Sequence, residues 1–150
     1  GEHYTNLMAG TSPILFVLED TQLPPPLELA TIIVVMLVVL KVADMVVQRL
    51  TDARWFLLHF VANMLVVVQA LPDLTKAFWD PVNALKGQYS CWPVCWISAI
   101  HLYHILAFRK LSRDDWIHHL VFCGFMCPVA IFFPLGPWVN VMAFFLSGLP

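Results

Sequence analysis

The sequence predicts an all-α membrane protein, a polytopic bundle of transmembrane helices. Of its 150 residues, 60% are hydrophobic and only 12% are charged, whereas a typical soluble domain has about 25% charged residues. The mean hydropathy is +0.77. The apolar residues also form runs of about the twenty residues that a helix needs to cross a hydrocarbon core. We therefore expect at least four spans and a truncated fifth.

Four apolar runs define the expected spans. They cover residues 27–47, 55–71, 92–108 and 116–133. The truncated fifth run begins at residue 137 and continues to the end of the sequence. Three prolines, Pro24 to Pro26, precede the first run and suit only the first turn of a helix. The longest connection, residues 73–90, is expected to lie along the membrane interface.

The placement of lysine and arginine predicts the orientation of the bundle. Six of them lie at the end of the first run or in the first and third connections: Lys41, Arg49, Arg54, Arg109, Lys110 and Arg113. Cytoplasmic loops carry the excess of these residues. Residues 1–26 are therefore predicted to be a non-cytosolic N-terminal segment, and residues 27–150 the transmembrane bundle. Within the first run, Lys41 and Asp44 are expected to neutralise each other.

Ionisable and amide side chains inside spans are costly, so each is a candidate functional residue. Those of the second, third and fourth runs are expected to form a polar cluster facing a lipid cavity: His59, Asn63, His101, His104, Asp114, Asp115, His118 and His119. The short connection 109–115 requires antiparallel helices, which places His104 within about one turn of the depth of His118.

The start of the fourth run contains the candidate catalytic residues Asp115, His118 and His119. Asp114 and Asp115 each precede a histidine by four residues, so each carboxylate can orient an imidazole. Ser112 and Asp115 also have the spacing of a capping box, which is a purely structural role. A histidine near the end of a span equally suits a hydrogen bond to a neighbouring helix or to a lipid headgroup.

The histidines of the expected spans are also candidates for binding a cofactor. No metal site is expected, because no compact His/Cys ligand spacing repeats along the chain. A tetrapyrrole needs only one axial histidine in apolar surroundings. His59 and His101 are therefore the candidate ligands for a haem or chlorophyll.

The net charge is −2 and there is no basic run, so no nucleic-acid partner is expected.

Several segments resemble the TLC-domain family, which includes the ceramide synthases. They are ARWFLLHFVANMLVVVQALPD (53–73), WDP (79–81), HLYHILAF (101–108) and LSRDDWIHHLVF (111–122). The most specific element is DWIHH, Asp115 to His119, and the resemblance covers about residues 50–150. It implies a helical bundle that encloses a lipid-accessible cavity, and several members of this family make, sense or move lipids.

The resemblance also bears on catalysis. In the ceramide synthases, a second element containing His and Asp follows the His-His pair on the next span and completes the site for acyl transfer. Here the corresponding region, residues 139–150, reads VNVMAFFLSGLP and contains neither. The resemblance therefore implies a non-synthase member and argues against acyl transfer, which stays open as an alternative.

Three functional hypotheses follow. The first is a multi-pass protein of the endoplasmic reticulum or another endomembrane that binds, senses or helps distribute lipid, with no cofactor and with membrane lipids and other membrane subunits as partners. The second is a structural accessory subunit of a large respiratory or photosynthetic complex in a mitochondrial or plastid membrane, carrying a tetrapyrrole. The third is an acyltransferase like the ceramide synthases.

Overall fold

The computed structural model describes residues 24–108, 110–133 and 135–148. Most of the expected N-terminal segment, residues 1–23, and Arg109 of the third connection lie outside the described residues. Within the described ranges the chain forms helices and contains no strand. The predicted all-α fold is therefore confirmed for this part of the chain.

The described residues form five helices joined by short connections. They are α1 (Pro26–Val47), α2 (Arg54–Trp79), α3 (Trp92–Ala107), α4 (Arg113–Phe132) and α5 (Trp138–Ala143), which π-helical residues Phe144–Gly148 continue. By length and composition, α1, α2 and α4 are long and apolar enough to cross a membrane. Three of the four expected spans thus coincide with helices of that length. The remaining one, expected over residues 92–108, falls on the shorter α3.

Helix α3 is the centre of the bundle. Ten of its sixteen residues are buried, compared with five of the twenty-two residues of α1. It packs against both α1 and α2, so that Ile100 lies in the core with Met36 of α1 and Leu58 of α2. At 1.5 Å per residue, sixteen residues extend about 24 Å, less than the roughly 30 Å of a hydrocarbon core. The helix that carries two histidines is therefore enclosed by longer helices.

Helix α2 continues through Pro72 to Trp79. The expected end of this span at residue 71, and the interfacial connection expected over residues 73–79, are therefore wrong. Proline removes one backbone hydrogen bond, but the other backbone groups of the helix stay paired when the helix continues. The hydroxyl of Thr75 supplies a further bond, to the carbonyl oxygen of Leu71 (2.9 Å). As a result, Asp73 lies inside a helix.

Asp73 joins three helical segments at the end of the bundle remote from the histidines. Its buried carboxylate accepts hydrogen bonds from Nζ of Lys76 (2.7 Å), the amide of Ser90 (2.9 Å) and Nδ2 of Asn140 (2.6 Å). Asn140 also donates to the carbonyl oxygen of Ser90 (2.8 Å). This network attaches α5 and the start of α3 to α2.

A second buried carboxylate, Asp44, joins α1 to α2 and α3. The hydroxyl of Tyr103 donates to it at 2.7 Å, and Nε of Arg54 lies 3.4 Å away. The Arg54 guanidinium also lies 4.4 Å from the ring centroid of Phe108. The expected neutralisation of Asp44 by Lys41 is therefore wrong, since Lys41 is exposed and the partners of Asp44 come from other helices.

Helix α4 changes its hydrogen-bonding pattern at its middle. Residues Phe122–Met126 are π-helical, and the amide of Cys127 bonds to the carbonyl oxygen of Phe122, five residues earlier. Pro128 follows directly and has no amide hydrogen for the carbonyl oxygen of Gly124. A wider turn at this point is a common accommodation of such a missing bond. The π-helical segment therefore lies directly before the position where Pro128 leaves a backbone bond unmade.

Candidate functional site

Five histidines converge where α2 begins, α3 ends and α4 begins. They are His59 of α2, His101 and His104 of α3, and His118 and His119 of α4. The predicted proximity of the α3 and α4 histidines is therefore confirmed. The cluster lies at the end of the bundle that contains most of the lysines and arginines.

The first cross-helix contact joins His101 and His118. Their Nε2 atoms lie 2.8 Å apart, and Nδ1 of His101 lies 2.7 Å from the carbonyl oxygen of Ile97. A carbonyl oxygen only accepts, so Nδ1 of His101 carries the proton and its Nε2 is an acceptor when the ring is neutral. Nε2 of His118 therefore donates this bond. The backbone of α3 thus fixes the tautomer of His101 and directs its free lone pair toward α4.

The second contact joins His104 and His119, both buried. Nε2 of His119 lies 2.8 Å from Nδ1 of His104, and the indole of Trp55 stacks on His104 with ring centroids 3.5 Å apart. Nδ1 of His119 is buried and has no hydrogen-bond partner among the described residues. A buried polar atom without a partner is costly.

An open cleft of about 440 Å³ gives access to the cluster from α2. Its polar lining comes from five of the predicted site residues: His59, Asn63, His104, Asp115 and His118. Its aromatic lining comes from Trp55, Phe56 and Phe60. Of the remaining predicted residues, His101 and His119 lie behind this lining, and Asp114 is exposed and does not line the cleft.

The predicted capping box is confirmed at the start of α4. Oδ2 of Asp115 accepts from the amide and the hydroxyl of Ser112, each at 2.8 Å, and the hydroxyl of Ser112 accepts from the amide of Asp115 at 3.1 Å. The hydrogen bonds that His118 and His119 were expected to donate to the two acids do not form in the described structure. The carboxylate of Asp115 is turned back toward the helix start, while both imidazoles bond to α3.

We expect Asp115→Ala to lower the free energy of unfolding by about 1 kcal/mol, the usual cost of a lost helix cap. Denaturation with SDS from a mild detergent, followed by circular dichroism, would measure this loss. The matched control is Asp114→Ala, an exposed neighbour for which we expect a change within about 0.5 kcal/mol. If Asp115→Ala were fully stable but altered ligand binding, the carboxylate would act on the histidines instead of the helix start.

An apolar cavity of about 90 Å³ lies on the other side of the histidine cluster, between α3, α4 and α5. Its wall includes Val94, Ile97, Phe122, Met126, Cys127, Val139, Ala143 and Leu146. Two of these residues also contact the cluster. The ring of Phe122 stacks on His101 with centroids 5.1 Å apart and an interplanar angle of 11°, and Ile97 binds His101 through its carbonyl oxygen. The cavity and the cluster therefore share a wall.

Three of the histidines could also hold a metal ion. His59, His101 and His118 each offer one nitrogen, and these atoms all lie within 4.8 Å of one another. No metal site was predicted from the local spacing of His and Cys, because these three residues come from three different helices. The candidate tetrapyrrole ligands differ in access, since His101 is enclosed between Phe122 and other histidines, whereas His59 lines the cleft.

Comparison with protein-family models, with curated proteins and with solved structures finds no match for this chain. The TLC resemblance therefore stays a prediction.

Proposed function

We propose that this chain is a polytopic, TLC-type helical membrane protein that binds lipid at an intramembrane site and so senses it or helps distribute it. The observation that carries the proposal is the wall shared by the apolar cavity and the histidine cluster, formed by Ile97 and Phe122. An amphipathic ligand needs an apolar region directly beside hydrogen-bonding groups. Small-molecule sites are commonly built in this way, with few polar groups in an apolar lining.

The two sides of the wall suit the two parts of a lipid. The cavity is lined almost wholly by apolar atoms and accommodates a segment of a hydrocarbon chain, which is stabilised by about 0.8 kcal/mol per buried methylene. The cleft presents imidazoles and the side-chain amide of Asn63, whose buried Oδ1 has no partner among the described groups. These groups are suited to a hydroxyl, amide or phosphate of a headgroup.

The charges support the proposed orientation. Five basic residues lie at the same end of the bundle as the histidines: Lys41, Arg49, Arg54, Lys110 and Arg113. In a bilayer this end faces the cytosol, where basic groups attract anionic headgroups by about 1 kcal/mol each. An endomembrane such as the endoplasmic reticulum is the location we propose.

The position of α5 supports binding over acyl transfer. Asn140 is the one buried polar side chain near the start of α5, and it contacts Asp73. Asp73 lies fourteen residues after His59 on α2, which separates the two by about 21 Å along the helix axis. Asn140 is therefore remote from His118 and His119. The described part of α5 adds no His or Asp to the histidine cluster.

The direct test fills the apolar cavity. Ala143 is buried and lines it, so Ala143→Leu is expected to reduce the lipid that copurifies with the protein on the order of tenfold, because a pocket of fixed shape discriminates methylene-sized differences by about 10- to 200-fold. The amount and identity of bound lipid would be measured by mass spectrometry of the purified protein in mild detergent. Ala130→Leu, at a second position of the same wall, should act in the same direction.

The matched control is Ala30→Leu, the same substitution at an exposed position of α1. It should leave the bound lipid unchanged. A second pair of changes, His118→Ala with His119→Ala, should reduce retention of the lipid by removing its polar partners. Equal amounts of lipid in wild type, Ala143→Leu and Ala30→Leu would contradict the proposal.

A further inference from the structure

The geometry points to a second property of the histidine cluster: we propose that His59, His101 and His118 bind one divalent transition-metal ion of the Zn²⁺ type. The proposal rests on the positions of the three imidazoles and goes beyond lipid binding, on which it does not depend. Each residue comes from a different helix, namely α2, α3 and α4. A metal held here would therefore tie together the three helices that surround the cleft.

The distances suit this ion after small movements. In a tetrahedral site with Zn–N bonds of about 2.0–2.1 Å, ligand nitrogens lie roughly 3.4 Å apart. The three nitrogens already lie within 4.8 Å of one another, and those of His101 and His118 are 2.8 Å apart. Rotations of the side chains of His59 and His118 into the cleft that they line would even out these separations.

His101 is already prepared as a ligand. Histidines that bind metals generally donate their second ring N–H to a carbonyl oxygen or carboxylate, which fixes the tautomer. Nδ1 of His101 makes this bond with the carbonyl oxygen of Ile97, so its Nε2 carries the lone pair that would bind a metal. On binding, Nε2 of His118 would exchange its hydrogen bond for a metal bond, and its proton would move to Nδ1. Each ring then binds as a neutral imidazole.

The surroundings favour a borderline divalent ion with an accessible position. An all-imidazole set suits Zn²⁺, Cu²⁺, Fe²⁺ or Ni²⁺ better than the hard ions Mg²⁺ and Ca²⁺. Three protein ligands with an open fourth position are typical of zinc sites that bind water or a substrate. Here the fourth position faces the cleft, whose lining includes Asp115 and Asn63. The carboxylate of Asp115 would lower the energy of the bound cation.

The test uses protein purified without a histidine tag, stripped with a chelator and held in mild detergent. Titration with Co²⁺, followed by its visible absorption, would report tetrahedral coordination, and elemental analysis would give the number of Zn²⁺ ions per chain. We expect one ion per wild-type chain. His59→Gln and His118→Gln should each weaken binding on the order of 100-fold or more, since loss of even an outer partner costs about 10- to 100-fold.

The matched control is His104→Gln, a histidine of the same cluster outside the proposed ligand set. It should retain one ion per chain. Because a bound ion stabilises the folded state, Zn²⁺ should also raise the thermal unfolding midpoint of the wild type and of His104→Gln, but not that of His59→Gln. This comparison does not require His118→Gln to fold. Ala143→Leu should bind Zn²⁺ normally, because it changes only the apolar cavity. If the wild type bound metal no more tightly than the variant with both His59→Gln and His118→Gln, the proposal would be overturned.

Discussion

Asp73→Ala is expected to lower the free energy of unfolding by about 3 kcal/mol. The carboxylate of Asp73 is buried and accepts hydrogen bonds from the amide of Ser90 and from Nδ2 of Asn140. Both donors would lose this acceptor, Asn140 at a fully buried position, and an unsatisfied buried donor costs about 1–3 kcal/mol. SDS denaturation followed by circular dichroism would measure the change.

Two further variants separate this network from a surface ion pair. Lys76 also bonds to Asp73, but its side chain is 55% exposed, so Lys76→Ala should cost less than about 1 kcal/mol. A double-mutant cycle between Asp73→Ala and Asn140→Ala should give a coupling energy above about 1 kcal/mol. An Asp73→Ala loss no larger than that of Lys76→Ala would contradict the role assigned to the network.

Gly136→Ala should cost about 2 kcal/mol or more and should disturb the entry to α5. Gly136 has φ = 56°, a conformation that costs other residues roughly 1–2 kcal/mol. An added Cβ would also overlap the carbonyl oxygen of Ala84 and lie 2.9 Å from that of Gly87. Both contacts are with backbone, which cannot move aside as a flexible side chain would. Thermal unfolding in detergent would measure the loss.

Gly87→Ala is the matched control for this effect. Its added Cβ would lie 3.4 Å from Cδ of Pro137 and 3.6 Å from the carbonyl oxygen of Asn83, which are ordinary contacts. We expect a change of less than about 1 kcal/mol. Equal losses of stability for Gly136→Ala and Gly87→Ala would contradict this explanation. They would show that neither the positive φ of Gly136 nor its close contact with two carbonyl oxygens requires a glycine there.

The fold could be predicted from the sequence where one apolar run forms one helix. Pro26 begins α1 and Ser112 caps α4, and both signals are local. The prediction was wrong at Pro72, because a proline costs a helix one backbone bond without ending it where tertiary contacts hold the next turn, here through the bonds of Asp73 to Ser90 and Asn140. The partners of Asp44 were also missed, since Tyr103 lies 59 positions along the chain.

The candidate site could be predicted as a set of residues but not as a set of contacts. The rule that residues four apart interact predicted bonds from the acids of α4 to His118 and His119. In the structure both histidines bond across to α3, and the capping box engages the carboxylate of Asp115. Pairs that cross between helices have no fixed sequence spacing. The grouping of His59 with His101 and His118 therefore required the packed bundle.

The π-helical turn of α4 sets the rotational phase between the two halves of that helix. In a regular α-helix each residue turns about 100°, so His119 and Cys127, eight residues apart, would point about 80° away from each other. One extra residue within the turn cancels most of that angle, and both side chains are buried on the same side of the bundle. Regular α-helical pairing over the same residues would therefore rotate either the histidines or the cavity wall about 80° out of alignment with α3.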